Sequence, residues 1–212
     1  MTQVLAPVRT RSGAWRSAQR RAAACHHRAV STSGAYPEGT EKPSVIVRPA
    51  LPSDARRIFE LVAPYAEKRI LIAKELISYF EAIQEFLVAE LPDADGQWQV
   101  VGCGALHVMW DDIAEVHTLA VDLDHQRRGV GWHVLTALIE RARVLGLKRV
   151  FCLTFEVDFF RRMGFEVIEG TPVGTDVYAQ MLRSHDDGIA EFLDLARVKP
   201  NTLGNSRMLL EL

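Results

Sequence analysis

Cysteine is scarce in this 212-residue chain: Cys25, Cys103 and Cys152 are three in number and widely spaced. They form no CxxC pair, which excludes a zinc knuckle or a disulfide framework and fits a reducing cytoplasm. No stretch approaches the ~20 uninterrupted apolar residues of a membrane span, so no membrane partner is expected. Internal repeats are absent. Acidic residues are missing before Glu38, where six arginines stand. Beyond that point 19 basic side chains face 27 acidic ones, an acidic body unsuited to a phosphate backbone, so no nucleic-acid partner is expected. His26-His27 lacks metal-ligand spacing, and no metal site is expected.

What is present suffices for one domain with a tail. Hydrophobic residues make up 48% of the chain, enough for a sizeable core. Residues 1–43, rich in Arg, Ala, Ser and Gly, read as a disordered basic extension; their composition is also that of a transit peptide. Residues 44–212 read as the folded domain. Ser44 to Arg48 alternates as a strand. Ser53 offers an N-cap for a helix to about Ala66, with Pro64 set to kink or shorten its last turn. A second helix is predicted over Lys74 to Glu81. Phe86 to Glu90 and Gln97 to Met109 form a hairpin about Pro92 to Gly96, and Ile113 to Val121 is the next strand. Val130, Val134, Leu138, Ala142 and Leu145 stripe a helix from Gly129 to Leu145. Lys148 to Thr154 reads as a buried strand, Val157 to Met163 as a short helix, and Phe165 to Ile168 as a strand. Asp176 to Arg183 reads as a helix and Ser206 to Leu210 as a closing strand; the segment between those two stays undetermined. The order β-α-α-β-β-β-α-β-α-β gives an α/β fold, a mixed sheet flanked by helices.

The chemistry centres on Gln126-Arg127-Arg128-Gly129-Val130-Gly131, where a strand hands over to the amphipathic helix. A helix start presents unpaired N–H groups and partial positive charge, which attract phosphate oxygens. Glycine at 129 and 131 lets a diphosphate reach those amides, and Arg127 and Arg128 add full charges. A glycine-capped sharp turn explains the same pattern. The loop is not a Walker A motif, and it does not sit in the first βαβ unit of a dinucleotide fold.

The run from Glu115-Val-His-Thr-Leu-Ala-Val121 to Gly131, followed by Phe159-Phe160-Arg-Arg-Met-Gly-Phe165, resembles the acetyl-CoA motifs of the GNAT superfamily. The resemblance implies a GNAT-like mixed sheet with helices on both faces. It also implies acetyl-CoA as cosubstrate, with Leu119, Ala120 and Val121 along the pantetheine arm and Gln126 to Gly131 at the diphosphate. Gln84-Glu-Phe-Leu-Val-Ala-Glu90, Val101-Gly-Cys-Gly-Ala-Leu106, Phe151-Cys-Leu-Thr-Phe155 and Asn205-Ser-Arg-Met-Leu-Leu210 are similar to the acetyltransferase domain of N-acetylglutamate synthases, above all the standalone actinobacterial form. That likeness implies an amino-acid N-acetyltransferase acting on glutamate or glutamine at the opening of arginine biosynthesis, by direct attack. It implies a cytoplasmic protein, with a homodimer by resemblance only. The amino-acid-kinase-like domain of the longer synthases, and arginine feedback through it, is not expected.

Attack needs a base for the α-ammonium, a donor for the oxyanion and a proton for the thiolate. Glu115 is the candidate base, acting through water, or else a carboxylate paired with a basic neighbour. His117, on the same face, is the reserve, or else a hydrogen-bonded histidine at a strand edge. Many GNAT enzymes carry a tyrosine, as acid for the thiolate, where this chain has Phe160, which cannot donate; Phe160 is expected beside the cofactor, and water or Thr154 would protonate the sulfur. Arg69, Lys74, Ser206 and Arg207 are candidate acceptor ligands. Gly204 stands where the resemblance leads one to expect an arginine, which leaves glutamate, glutamine and other amino acids open. Cys103 lies in the segment that matches the synthases, as an acceptor-side residue or a small core residue. Two other readings stay open: a GNAT enzyme acting on a protein N-terminus, lysine or aminoglycoside, and a CoA-sensing module without turnover.

Overall fold

A computed structural model describes residues 45–195 and 204–212. The basic segment 1–43 and Ser44 lie outside the described residues. Seven strands form one mixed sheet in the order β1-β2-β3-β4-β5-β7-β6. They are β1 (Ile46–Pro49), β2 (Phe86–Pro92), β3 (Trp98–Val108), β4 (Ile113–Val121), β5 (Arg149–Thr154), β6 (Glu166–Val167) and β7 (Ser206–Glu211). β1 to β4 pair antiparallel, β4 and β5 pair parallel, and β7 runs antiparallel between β5 and β6.

Helices cover both faces, so the central strands are buried on both sides and read as near-continuous apolar runs. On one face α3 (Val130–Val144) lays Val130, Val134, Leu135, Leu138, Ile139 and Ala142 over Leu87, Ala89, Leu106 and Val116. On the other face α1 (Ala55–Glu67) and α2 (Leu76–Glu81) cover Val88, Cys103 and Ala105. Further along that second face, Met109, Ile113, Phe151 and Leu209 pack with the region of α5 (Thr175–Met181) and α6 (Asp187–Phe192). α4 (Val157–Arg161) lies between β5 and β6 in the chain.

Two elements differ from the sequence expectation for traceable reasons. Ser53 does not cap α1; it lies in a 3-10 turn, Pro52–Asp54, and the helix starts at Ala55. The Asp54 carboxylate instead accepts from the Leu51 amide (2.7 Å) and from Arg48 (2.7 Å), which also binds Glu90 (2.6 Å). This ion-pair network ties β1, β2 and the entry to α1. Pro64 does not end α1, which continues to Glu67. The undetermined segment holds α6, whose N-cap Asp186 accepts from the Ile189 amide (2.9 Å).

α3 approaches β3 closely because β3 carries glycine beneath it. A Cβ at Gly102 would stand 2.6 Å from Val130 Cγ1. One at Gly104 would stand 2.9 Å from Val134, 3.0 Å from Leu138 and 3.1 Å from Leu119. Gly104→Val should therefore overpack this layer and destabilise the domain by about 1–3 kcal/mol, read as a lowered urea midpoint at unchanged m-value.

Candidate active site

β4 and β5 begin side by side and then part. Their parallel pairing covers Ile113/Arg149, Ala114/Val150 and Glu115/Phe151 only. Past Glu115, β4 continues to Val121 on β3 alone, while β5 continues to Thr154 on β7. The local cause is one extra residue in β4. Cys103 pairs with Ala120 and Ala105 with His117, so Thr118 and Leu119 together face Gly104. Such a bulge bends and twists its strand. Thr118 absorbs it at φ +54°, a left-handed conformation that costs a β-branched residue about 1–3 kcal/mol. The result is a wedge between two parallel strands, with the β5-facing edge of β4 past Glu115 left without a strand partner among the described residues.

The loop at the head of α3 closes one end of that wedge. Gly129 is the N-cap at φ +83°, and Arg127 is also left-handed at φ +60°. Among the described residues no side chain caps α3, and no acidic residue occupies its first turn, so its opening amides and positive end suit an anion. A Cβ at Gly131 would lie 3.6 Å from Val121 Cγ2 and 3.7 Å from Phe159 Cζ. Any larger side chain there would fill the gap between β4 and α4. Arg127 and Arg128 are exposed beside it. α1 braces the loop: Tyr65 Oη donates to the Val121 carbonyl (2.5 Å) and accepts from Gln126 Nε2 (2.8 Å), while Arg57 binds Asp122 (2.6 Å).

On the face covered by α1, α2 and α6, a polar seam separates two apolar clusters. His107 pairs across the strands with Glu115, and Ala105 with His117, which sets both histidines and Glu115 on one side of the sheet. Glu85, ending the 3-10 turn before β2, reaches over them, 2.9 Å from His107 Nδ1 and 3.3 Å from His117 Nε2. Burial opposes ionisation of Glu85, but the hydrogen bonds from His107 and His117 outweigh it and pull its carboxyl down to about 2. The Glu85 contact raises His107, whereas burial lowers His117. Glu115 is 7% exposed. Burial first, then the nearby charges of Glu191 and Asp186, push its carboxyl up to about 8, against the weaker pull of Lys74 and His107. Its carboxylate rests on the backbone of Gly188, where an added Cβ would stand 2.0 Å from Oε2.

The structure brings Glu115 and His117 together, with Lys74 exposed but near enough to act on both. Leu119 turns toward α3 and Ala120 toward the α1 cluster, while Val121 reaches the loop. The Val130 side chain is core, leaving only its backbone for a ligand. Phe160 does not line the loop as expected: it is buried between Phe159 and Phe165, with ring centroids 5.3 and 5.2 Å away. Phe159 takes the position beside Gly131. Cys103 is fully buried under α1, its thiol pushed up to about 12 by burial, so it stands in the core and not on the acceptor side. Thr154 pairs with Ser206 at the far end of β5, and its hydroxyl accepts from the Glu156 amide (2.9 Å). Arg207 pairs with Leu153, donates to the Phe192 carbonyl, and keeps a buried Nε without a partner among the described residues. Arg69 is exposed at φ +57°. Sequence reasoning missed Glu85, His107, Phe159, Tyr65, Asp186 and Gly188. For α6 a signal existed, Asp186 ahead of Ile189, Phe192 and Leu193. Among the described residues no cluster of three or more His, Cys, Asp or Glu is arranged to hold a metal ion, and no helix is long and apolar enough to cross a membrane.

Comparison with known proteins gives this geometry a context. A model of the acetyltransferase (GNAT) family matches residues 55–165. An amino-acid acetyltransferase of Mycobacterium tuberculosis is 54% identical over 176 residues, covering 82% of this chain and 99% of that protein. A Mycobacterium tuberculosis crystal structure in complex with CoA, also 54% identical, superposes with a TM-score of 0.74 over 79% of this chain and 99% of that one. N-acetylglutamate synthase from Neisseria gonorrhoeae, complexed with coenzyme A and N-acetyl-glutamate, gives a TM-score of 0.61 at 22% identity. It covers 81% of this chain and 36% of the synthase, a likeness of fold.

The seam has a pH signature. Glu115 titrates higher in the fold than the usual 4.5, so the stability tied to its neutral form is complete below about 4.5 and is lost as pH rises through about 8. Glu115→Gln should therefore gain melting temperature relative to the parent chain between pH 5 and pH 9 by scanning fluorimetry. An equal difference at both pH values would mean that the carboxyl titrates normally.

Proposed function

The chain belongs to the acetyltransferase (GNAT) family, and from that premise we propose that it transfers the acetyl group of acetyl-CoA to the α-amine of an amino acid, L-glutamate or L-glutamine. The observation that carries the proposal is the opened β4–β5 wedge with an uncapped, glycine-lined helix start at one end and buried Glu115 at the point where the strands part. The mycobacterial relative's name, amino-acid acetyltransferase, supports the acceptor class. The CoA in the similar crystal structure supports the donor. We extend the reading to a cytoplasmic enzyme, working as a homodimer at the first step of arginine biosynthesis.

Acetyl-CoA supplies an activated acyl carbon and a tolerable thiolate leaving group. The protein supplies position and proton management. The opening amides of α3 and Arg127 and Arg128 hold a diphosphate, with Gly131 keeping the approach open. The unpartnered edge of β4 through Val121 offers backbone groups to an extended arm, and Phe159 supplies an apolar wall. Glu115 takes the proton of the acceptor ammonium; its raised affinity for a proton brings it closer to an α-ammonium and suits that exchange. Lys74, Arg69, Arg207 and Ser206 supply cationic and polar groups for the acceptor carboxylates. The buried Nε of Arg207, without a partner among the described residues, is a donor suited to a carboxylate. Water or Thr154 returns a proton to the sulfur.

CoA release measured over glutamate, glutamine, other amino acids, a lysine peptide and an aminoglycoside should appear with glutamate or glutamine; silence with every amino acid would refute the acceptor class. Gly131→Glu sets bulk and negative charge against the diphosphate and should weaken acetyl-CoA binding by about 100-fold or more in calorimetry. Glu115→Gln should lower kcat by about 10²–10⁴ and leave acetyl-CoA affinity near the parent value; a normal kcat would remove it from the mechanism.

A further inference from the structure

His117 has both ring nitrogens engaged. Nε2 faces Glu85 Oε2 at 3.3 Å, and Nδ1 faces Thr118 Oγ1 at 2.7 Å. Glu85 is held ionised and can only accept, so Nε2 carries the hydrogen of that contact. Burial works against protonation of the ring, and in the neutral ring Nδ1 is a lone pair that accepts from the Thr118 hydroxyl. The hydrogen-bond chain thus runs in one direction, from Thr118 through His117 to Glu85. It starts on the residue that bears the left-handed φ of the β4 bulge. The His117 ring is wedged against Phe86 at 5.9 Å and His107 at 6.5 Å between centroids, and His107 binds the other oxygen of Glu85. The groups facing the ring are therefore Glu85 and Phe86 from the turn and β2, His107 from β3, and Thr118 from β4, with the charge of Lys74 nearby.

We infer that Glu85 and His117 act as a latch that holds Thr118 in its left-handed conformation and so keeps the β4 bulge, and with it the wedge between β4 and β5, open for the acyl carrier. The inference rests on the cofactor reading of that wedge. It makes His117 a positioning residue: with its lone pair given to Thr118 and its N–H to Glu85, no nitrogen remains to take a proton from the acceptor. It also explains why a β-branched residue is tolerated at φ +54°, since its hydroxyl is the third member of the latch. Thr118 O accepts in addition from Cys103 Sγ (3.8 Å), which links the bulge to the core beneath α1.

Glycine adopts φ +54° unaided, and this separates a latch from a proton carrier. CoA binding is measured by calorimetry on the full chain as His117→Ala and as His117→Ala/Thr118→Gly, with far-UV circular dichroism as the check on folding. The latch predicts about tenfold weaker CoA binding in the single variant and recovery of most of that loss in the double variant. Binding unchanged in His117→Ala, or a loss that glycine at 118 does not recover in a folded protein, would overturn it. Thr118→Val serves as the second route should His117→Ala unfold: it keeps the shape, removes only the hydroxyl, and should weaken CoA binding similarly, whereas parent-like binding would overturn the latch. Amide hydrogen exchange at Cys103 to Ala105 and His117 to Ala120, read without any ligand, should quicken in His117→Ala and slow again in the double variant. That readout tests the latch even if the parent chain failed to bind CoA, a failure that would count against the cofactor reading alone.

Discussion

One extra residue in β4 governs the rest of this structure. Two parallel strands that stayed paired would present a closed sheet with no unpartnered backbone in its middle. Because Thr118 and Leu119 together face Gly104, β4 bends after Glu115 and the sheet splits there. The split exposes a strand edge at the centre of the domain, where an edge would otherwise be covered. It also aims that edge at the start of α3, so one irregularity brings together unpaired strand amides and unpaired helix amides.

The surroundings make this geometry tenable. Glycines 102 and 104 let α3 settle close on β3, so the helix start lies beside the wedge. Tyr65 and Arg57 of α1 brace the loop from the opposite face through Val121, Gln126 and Asp122. In the seam between the α1 and α6 clusters two carboxyl groups shift in opposite directions. Glu85 is kept ionised by two histidines, while burial, with Glu191 and Asp186, pushes the Glu115 carboxyl up to about 8, where it exchanges its proton near neutrality.

Much of this was legible in the chain and some was not. The run Ile113 to Val121 reads as a strand and is one, because its alternation and β-branched residues carry the signal. The glycine loop and the α3 stripe were equally open to reading, since both depend on local spacing. The bulge was not, because periodicity over nine residues does not reveal which of them faces two partners. Glu85 and His107 were missed for a related reason: a carboxylate in a turn and a lone strand histidine gain meaning only when β2 and β3 fold them over His117. Phe159 stands beside Gly131 while Phe160 packs on Phe165, since adjacent residues on a one-turn helix point to different sides, which spacing alone does not assign. α6 has six residues, too short for a helical period to emerge, although Asp186 marked its start.

In this reading the β4–β5 wedge and the head of α3 form one binding site for a diphosphate-bearing thioester. A crystal structure of the chain grown with CoA tests this most directly. The account predicts the diphosphate within hydrogen-bond distance of the amides that open α3, the pantetheine arm lying along β4 past Val121, and Thr118 still left-handed. A CoA molecule bound elsewhere, or β4 and β5 zipped together beyond Glu115, would contradict it.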